Sequence, residues 1–385
     1  MEIVLFHFFQ FQLADMPTHL NDMRERFADL DFQPLHYTPS LYEGVQSRHK
    51  HLAALELPDG SESNLMLSGL VDVLLSSELV DELREDVEEA EDLLLTAVNE
   101  IKNAVQRSLH GTELIHYQDL PQKWRSNQYV NTGYRFIPLE KWPLIVRSMF
   151  SFHNEFLNIH THLIPLVAWS TALLTLPSDP VETAYTFFAL VCLFCSVIWH
   201  TMRGCAHHKG RDLCARVDYV GIAWLIAASV GTVAHYGFRC HPHIGQVYLL
   251  LCLMSGIAGT VFPFMDWFDQ HEYKGWRILF FLSLGFTAVG PLATLAYLHG
   301  IEKMREFAVF FHLPPAPIGP PILSCTVGLV FYATHVPERY ITGYKFSHWL
   351  ENVGLTSHAI WHLFVVLAIS QHKFAISHMR GGITC

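Results

Sequence analysis

Gly354-Leu355-Thr356-Ser357-His358-Ala359-Ile360-Trp361-His362 opens the last long apolar run of the chain. His358 and His362 are four residues apart, so on a helix they project from one face, one turn above the other. The residues that follow, Leu363-Phe364-Val365-Val366-Leu367-Ala368, are apolar, and two imidazoles in line on such a helix need a partner. A metal ion suits them: neutral imidazole is a good zinc ligand, and this spacing lets two rings converge on one ion. For this pair alone, two hydrogen-bonded histidines near a helix end remain an equal alternative. Two other segments favour the metal.

Of the 385 residues, 51% are hydrophobic and 16% charged, against about 25% charged in soluble domains. The charge is unevenly placed. Residues 1–110 hold 21 Asp/Glu and 7 Lys/Arg, a net of −14, while the remaining 275 carry a net of +3. This pattern predicts an acidic soluble extension joined to a membrane body. Met1-Glu2-Ile3-Val4 lacks the basic start of a secretory signal, and Gln10 and Gln12 interrupt the apolar stretch behind it. Eight cysteines are too few and too scattered for a disulfide framework; Cys192, Cys195 and Cys252 lie in apolar runs as packing residues. No basic stripe, finger spacing or Gly-rich phosphate loop points to nucleic acid.

Residues 1–65 show no sustained periodicity and read as loop. From Val80 the pattern sharpens: Val80, Leu83, Val87, Ala90, Leu94, Val98, Ile101 and Val105 recur every three or four residues between acidic ones. This predicts an amphipathic packing helix ending near Gly111. Residues 119–135, with Trp124, Arg125, Tyr129, Tyr134 and Arg135, suit a lipid headgroup region. Spans need about 20 apolar residues, and seven stretches qualify: 157–176, 184–203, 217–238, 244–264, 276–298, 317–336 and 352–371. The prediction is therefore an all-α integral membrane protein, a seven-transmembrane helix bundle over residues 118–375. A partly helical acidic extension (1–117) precedes it and a short tail (376–385) follows. Lys and Arg in the connections number eight on one side and five on the other, which predicts a cytoplasmic N-terminus and a C-terminus on the far side.

With that orientation, His200 at the end of span two, Asp218 at the start of span three, and His358 and His362 at the start of span seven share one layer near the cytoplasmic face. Ionisable groups at such depth usually face the bundle interior and are functional. Three histidines with an open fourth position fit a zinc site, and a carboxylate such as Asp218 suits the water bound there. Ser196, four residues before His200, lies on the same helical face. His153, Glu155 and His162 flank span one and read as structural hydrogen-bonding residues, with support of the site or of a lipid headgroup as the alternative. His207-His208-Lys209-Gly210-Arg211 reads as a solvated basic loop, and His235, His241 and His243 as far-side residues too distant for the zinc.

Several motifs also stand in a definite order. They are Leu120-Pro121 through Asn127-Gln128-Tyr129 to Gly133-Tyr134-Arg135, then Ser148 to Leu163, then Ser196-x-x-x-His200. Asp218-Tyr219 with Gly221-Ile222-Ala223, Val336-Pro337-Glu338-Arg339 and Ser357-His358-x-x-x-His362 complete them. In this order they resemble the progestin and adipoQ receptor family, which includes adiponectin receptors, fungal membrane homologues and haemolysin III-like proteins. Leu157 departs from the glycine common there. The resemblance covers about residues 118–375 and implies seven spans with the N-terminus in the cytosol. It also implies zinc on His200, His358 and His362, with Asp218 and Ser196 beside it. It further implies hydrolysis of a ceramide-like lipid amide, with Asp218 as general base and Ser196 orienting water or the oxyanion. The alternative is a signalling receptor with a structural zinc, whose ligand is a ceramide-like or sterol-like lipid or an extracellular protein, in the plasma membrane or an internal one. A transporter fits less well, because no internal repeat is visible.

Overall fold

In hydrocarbon, every backbone polar group needs a partner within its own segment, and helices provide one. The computed structural model describes residues 78–175, 179–265, 268, 273–308, 319–383 and 385. Among them there is no strand, only the isolated bridges Ile115–Tyr134 and Ile137–Cys205. The helices are α1 (Glu78–Arg107), α2 (Trp142–Ser148), α3 (Phe156–Thr175), α4 (Pro180–Met202), α5 (His208–Gly237), α6 (Pro242–Val261), α7 (Lys274–Phe286), α8 (Val289–Ala308), α9 (Gly319–Thr334), α10 (Glu338–Ile341), α11 (Ser347–Val353) and α12 (Ser357–Met379). The chain divides into two compact units, Met1–Asn99 and Glu100–Cys385. The loop expected for residues 1–65 lies outside the described residues.

Among the described residues, five stretches are long and apolar enough to cross a membrane: Pro180–Met202, His208–Gly237, Pro242–Phe264, Gly275–Gly300 and Ser357–Met379. This is the make-up of an integral, multi-pass membrane protein. The predicted first and sixth spans coincide with α3 and α9, which are not among the five. Polar Asn158, His160 and His162 dilute α3, and α9 has only 16 residues. The predicted fifth span, 276–298, falls within Gly275–Gly300; a turn at Thr287-Ala288 divides it into α7 and α8, where Pro291 has no N–H to return to the carbonyl of Thr287.

Two further boundaries differ from expectation. Helix α5 begins at His208, so the stretch read as a basic loop is its first turn. His207 caps it by accepting from the Gly210 N–H at 3.1 Å, and the Arg211 guanidinium lies 4.7 Å over the Trp124 ring. The last helix starts at Ser357 rather than near 352 and runs on to Met379, into the stretch read as tail.

Helix α3 packs on α4 and α12, α4 on α5, α5 on α6, and α9 on α12, which also touches α4 and α5. Tyr185, Leu193, Leu225, Tyr236, Ile369 and Ile376 meet in the core between them. Helices α9 and α12 approach closely because Gly328 has no side chain: a Cβ there would lie 2.6 Å from the Phe364 Cβ.

Outside the apolar helices, residues 115–137 form a knot with its own core of Ile115, Leu120, Trp124, Val130, Tyr134 and Phe136. It is bonded to the α4–α5 connection through Trp124 Nε1–H to the Cys205 carbonyl (2.9 Å) and Ile137 N–H to the Gly204 carbonyl (2.8 Å). Two buried acids bind it to the segments that lead into α12, Glu351 from α11 and Glu338 at the start of α10. Glu351 Oε2 accepts from the Asn131 N–H, the Thr132 N–H and the Thr132 hydroxyl at 2.8–3.0 Å. Glu338 accepts from Asn127 Nδ2 (3.1 Å), the Ser357 N–H (2.7 Å) and the Ser357 hydroxyl (2.5 Å). The Glu338 carboxylate thus caps the positive end of α12, one residue before His358.

At the opposite end, Cys240 and Cys385 form a disulfide across 145 residues. The expectation that the cysteines build no disulfide framework missed this bond; a separation of that length leaves no local spacing to read.

Gly354 ends α11 in the left-handed region at φ +78°, and a Cβ there would stand 2.7 Å from the Asn154 carbonyl oxygen. Gly354→Ala therefore meets both a backbone cost of roughly 1–2 kcal/mol and a collision with the start of α3. The expected result is a lower melting temperature in detergent, read by fluorescence-detected size-exclusion chromatography after heating.

Candidate metal centre

The cap on Ser357 fixes the register of α12, so His358 and His362 face the same way with ring centroids 4.7 Å apart. Near the end of α4, Ser196 and His200 are both buried, and His200 has no exposed surface. The ligand nitrogens of His200, His358 and His362 all lie within 4.8 Å of one another, and no other such group of His, Cys, Asp or Glu occurs among the described residues. His200 Nε2 stands 3.2 Å from His358 Nε2.

Two of the outward nitrogens are occupied. His200 Nδ1 donates to Glu155 Oε2 at 2.7 Å, and His362 Nδ1 donates to the Asn158 carbonyl at 3.0 Å. A neutral imidazole that donates at Nδ1 carries its lone pair at Nε2, so both rings offer an acceptor nitrogen toward the shared centre. Two Zn–N bonds of about 2.0–2.1 Å at a tetrahedral angle put their nitrogens about 3.3 Å apart, close to the spacing seen. The group therefore suits a metal ion: His200 and His362 by donor chemistry, His200 with His358 by distance, and all three by having ligand nitrogens within 4.8 Å of one another.

Asp218 is buried on α5, and its Oδ1 has no hydrogen-bond partner. It is not one of the three converging groups. Near the three histidines, the Tyr332 ring lies 5.3 Å from that of His358. The Ser196 hydroxyl is 2.8 Å from Nδ1 of His162, whose ring stacks flat on His362 at 3.9 Å.

A family model described as haemolysin-III related matches residues 150–373, more than half of the chain and all of these side chains. The chain belongs to the haemolysin-III related family. Its similarity to an uncharacterised protein of Schizosaccharomyces pombe is 30% identity over 313 residues, 78% of this chain and 67% of the relative. To the Adiponectin receptor protein of Drosophila melanogaster it is 31% over 280 residues, 69% of this chain and 60% of the relative. To Heptahelical transmembrane protein 1 of Arabidopsis thaliana it is 29% over 290 residues, 70% of this chain and 82% of the relative. The chain thus spans about two thirds or less of the length of the first two.

Within this haemolysin-III related bundle, three residues near the start of α3 hold the site: Glu155 and His162, for which support of the site was the alternative to a structural role, and Asn158, which sequence reading did not single out. Glu155, Asn158 and His162 recur at i, i+3 and i+7, one helical face, and each touches a residue of the predicted site. That periodicity was a readable signal. What obscured it was the ordinary reading of polar residues at a helix end as local hydrogen-bonding groups.

Behind the site, Arg135 donates to Ser148 Oγ (2.5 Å) and to the His200 carbonyl (2.9 Å). Burial pushes its guanidinium down to about 10, with Glu155 working the other way. His153 donates from Nε2 to the Ser148 carbonyl (3.1 Å) and accepts the Glu155 N–H at Nδ1 (3.0 Å), so it is held neutral. Burial first, then the Arg135 charge, push its imidazole from 6.5 down to about 2. Below pH 6.5 the unfolded chain takes up a proton that the folded chain refuses, so stability present above 6.5 is lost as pH falls. At about 1.4 kcal/mol per pH unit, this group removes roughly 2 kcal/mol between pH 6.5 and about 5. Thermal melts at stepped pH are expected to show that slope in the wild type and a shallower one in His153→Gln.

Proposed function

We propose that this protein is a seven-span membrane hydrolase that holds zinc on His200, His358 and His362 and cleaves a ceramide-like lipid amide. The observation that carries this reading is the convergence of three imidazoles on α4 and α12, two of which donate outward from Nδ1 and so keep their lone pairs at Nε2, with a buried carboxylate that has a free oxygen on the neighbouring α5. Bound there, zinc would supply a Lewis acid for the amide carbonyl and lower the pKa of water.

The chain's own residues do the rest. Asp218, with one oxygen free of partners, takes a proton from water and passes it to the departing amine. The Ser196 hydroxyl, tethered to His162 Nδ1, has a fixed direction in which to orient water or the developing oxyanion. Burial in the bundle limits bulk water, which strengthens each of these polar contacts.

Seven spans are supported by α3, whose 20 residues rise about 30 Å, by α9, and by the name of the Arabidopsis relative. The cytoplasmic N-terminus is supported by the Lys/Arg bias and by the Cys240–Cys385 disulfide, a bond that persists in oxidising compartments. On that orientation, Cys240 and Cys385 in intact cells take up an impermeant maleimide only after reduction.

A second reading also has support. The donor histidines come from α4 and α12, so an ion there would tie distant parts of the bundle together without turnover, and a Drosophila relative is named a receptor. The chain would then be a signalling receptor with a structural zinc, responding to a lipid or to an extracellular protein.

Metal content and ceramide turnover on the purified full chain, wild type beside Asp218→Asn, separate the two. The hydrolase predicts one zinc per chain in both, and release of sphingoid base that falls by about 100-fold or more in the variant. Zinc in both with turnover in neither favours the receptor. A folded wild type without zinc overturns both.

A further inference from the structure

Glu155 has no part in the proposed proton transfers, yet it is only 4% exposed and lies against a proposed ligand. Its Oε2 accepts from His200 Nδ1 and from Asn158 Nδ2, both at 2.7 Å, and its Oε1 pairs with Arg203 Nη1 at 3.2 Å. Its backbone N–H is fixed on His153 Nδ1 at 3.0 Å. The carboxylate is therefore held from three directions. Three residues on, the Asn158 carbonyl holds His362 Nδ1. The residue before α3 and its first turn thus grip the outward nitrogens of two imidazoles that belong to two other helices.

An imidazole is ambiguous in two ways: its ring can flip about Cβ–Cγ, and either nitrogen can carry the proton. A carboxylate fixed at Nδ1 removes both ambiguities. The ring plane is set by the bond, and the proton stays at Nδ1, leaving the Nε2 lone pair toward His358. His200 has no exposed surface, so bulk solvent does not reach its Nδ1, which has the Glu155 carboxylate as its acceptor.

We propose that Glu155 is the positioning residue of the metal centre, fixing the tautomer and ring plane of His200 and thereby setting the affinity of the three histidines for a divalent cation. The proposal rests on the metal reading given above. It is independent of whether the centre turns over a lipid, because a structural ion needs the same orientation.

The test uses the full-length chain in detergent micelles, stripped by a chelator and titrated with zinc against a chromophoric competitor, then loaded with cobalt(II). Glu155→Gln keeps the size of the side chain but removes its charge. It is expected to weaken zinc binding by about 10–100-fold and to change the visible cobalt spectrum, since His200 no longer binds in one fixed orientation. Arg203→Gln removes the ion pair but leaves the His200 bond, and is expected to stay within about threefold of wild type. If Glu155→Gln does not fold, Glu155→Asp, too short to reach His200, is read the same way.

Zinc affinity within about twofold of wild type and an unchanged cobalt spectrum in the Glu155 variant would overturn the positioning role while leaving the metal centre standing. Equal weakening by Arg203→Gln would also overturn it, by assigning the effect to the ion network as a whole. A folded wild type that binds neither cation would overturn the metal reading, and this inference with it.

Discussion

A buried imidazole has two nitrogens, and a hydrocarbon environment satisfies neither of them. Leaving one unpaired costs about 1–3 kcal/mol, so three such rings in one layer impose a strict accounting on everything around them. The bundle meets it by division of labour. The residue before α3 and its first turn supply oxygen acceptors, the Glu155 carboxylate and the Asn158 carbonyl, for the outward Nδ1–H groups of His200 and His362. Helices α4 and α12 then direct the Nε2 atoms of His200 and His358 to within 3.2 Å of each other. Much of the packing of α3 against α4 and α12 follows from this requirement. A shift of either neighbour by one residue would strand a donor.

The precision of the site also depends on parts of the chain outside the apolar helices. The knot of residues 115–137 is joined to the beginning of α12 by Glu338, to α11 by Glu351, and to the α4–α5 connection by Trp124 and Ile137. The same segments that carry His200, His358 and His362 are therefore fastened at their ends by a polar scaffold with its own small core. Gly354 lets the chain pass within contact of the Asn154 carbonyl, which brings the first turn of α12 against the first turn of α3. Bonds to buried carboxylates are stronger than neutral ones, which suits a scaffold whose task is to hold a register.

Where the structure departs from expectations, the causes are local. Helix α12 begins five residues later than its apolar run because Gly354 takes a left-handed conformation and Thr356 is extended. The fifth apolar run is divided by a turn near Pro291, which no hydropathy average detects. His207 to Arg211 look like a basic loop by composition. They are helical because His207 caps them and Trp124, far away in sequence, receives the Arg211 cation. The Cys240–Cys385 bond joins residues 145 apart, and no spacing rule reaches that distance.

Much was legible in the residues themselves. Apolar runs and sparse charge specify a helical membrane protein, because unpaired backbone in lipid is prohibitive. Periodicity places Ser196 with His200, and His358 with His362, because four residues make about one helical turn. What tertiary structure alone decided is which nitrogen each histidine turns inward, and which of the polar residues around the start of α3 controls it. That choice is made by contacts between helices: Glu155 reaches His200 across 45 residues, and Asn158 reaches His362 across 204. A periodic pattern records which face of a helix a residue occupies, but not which oxygen from another helix will meet it there.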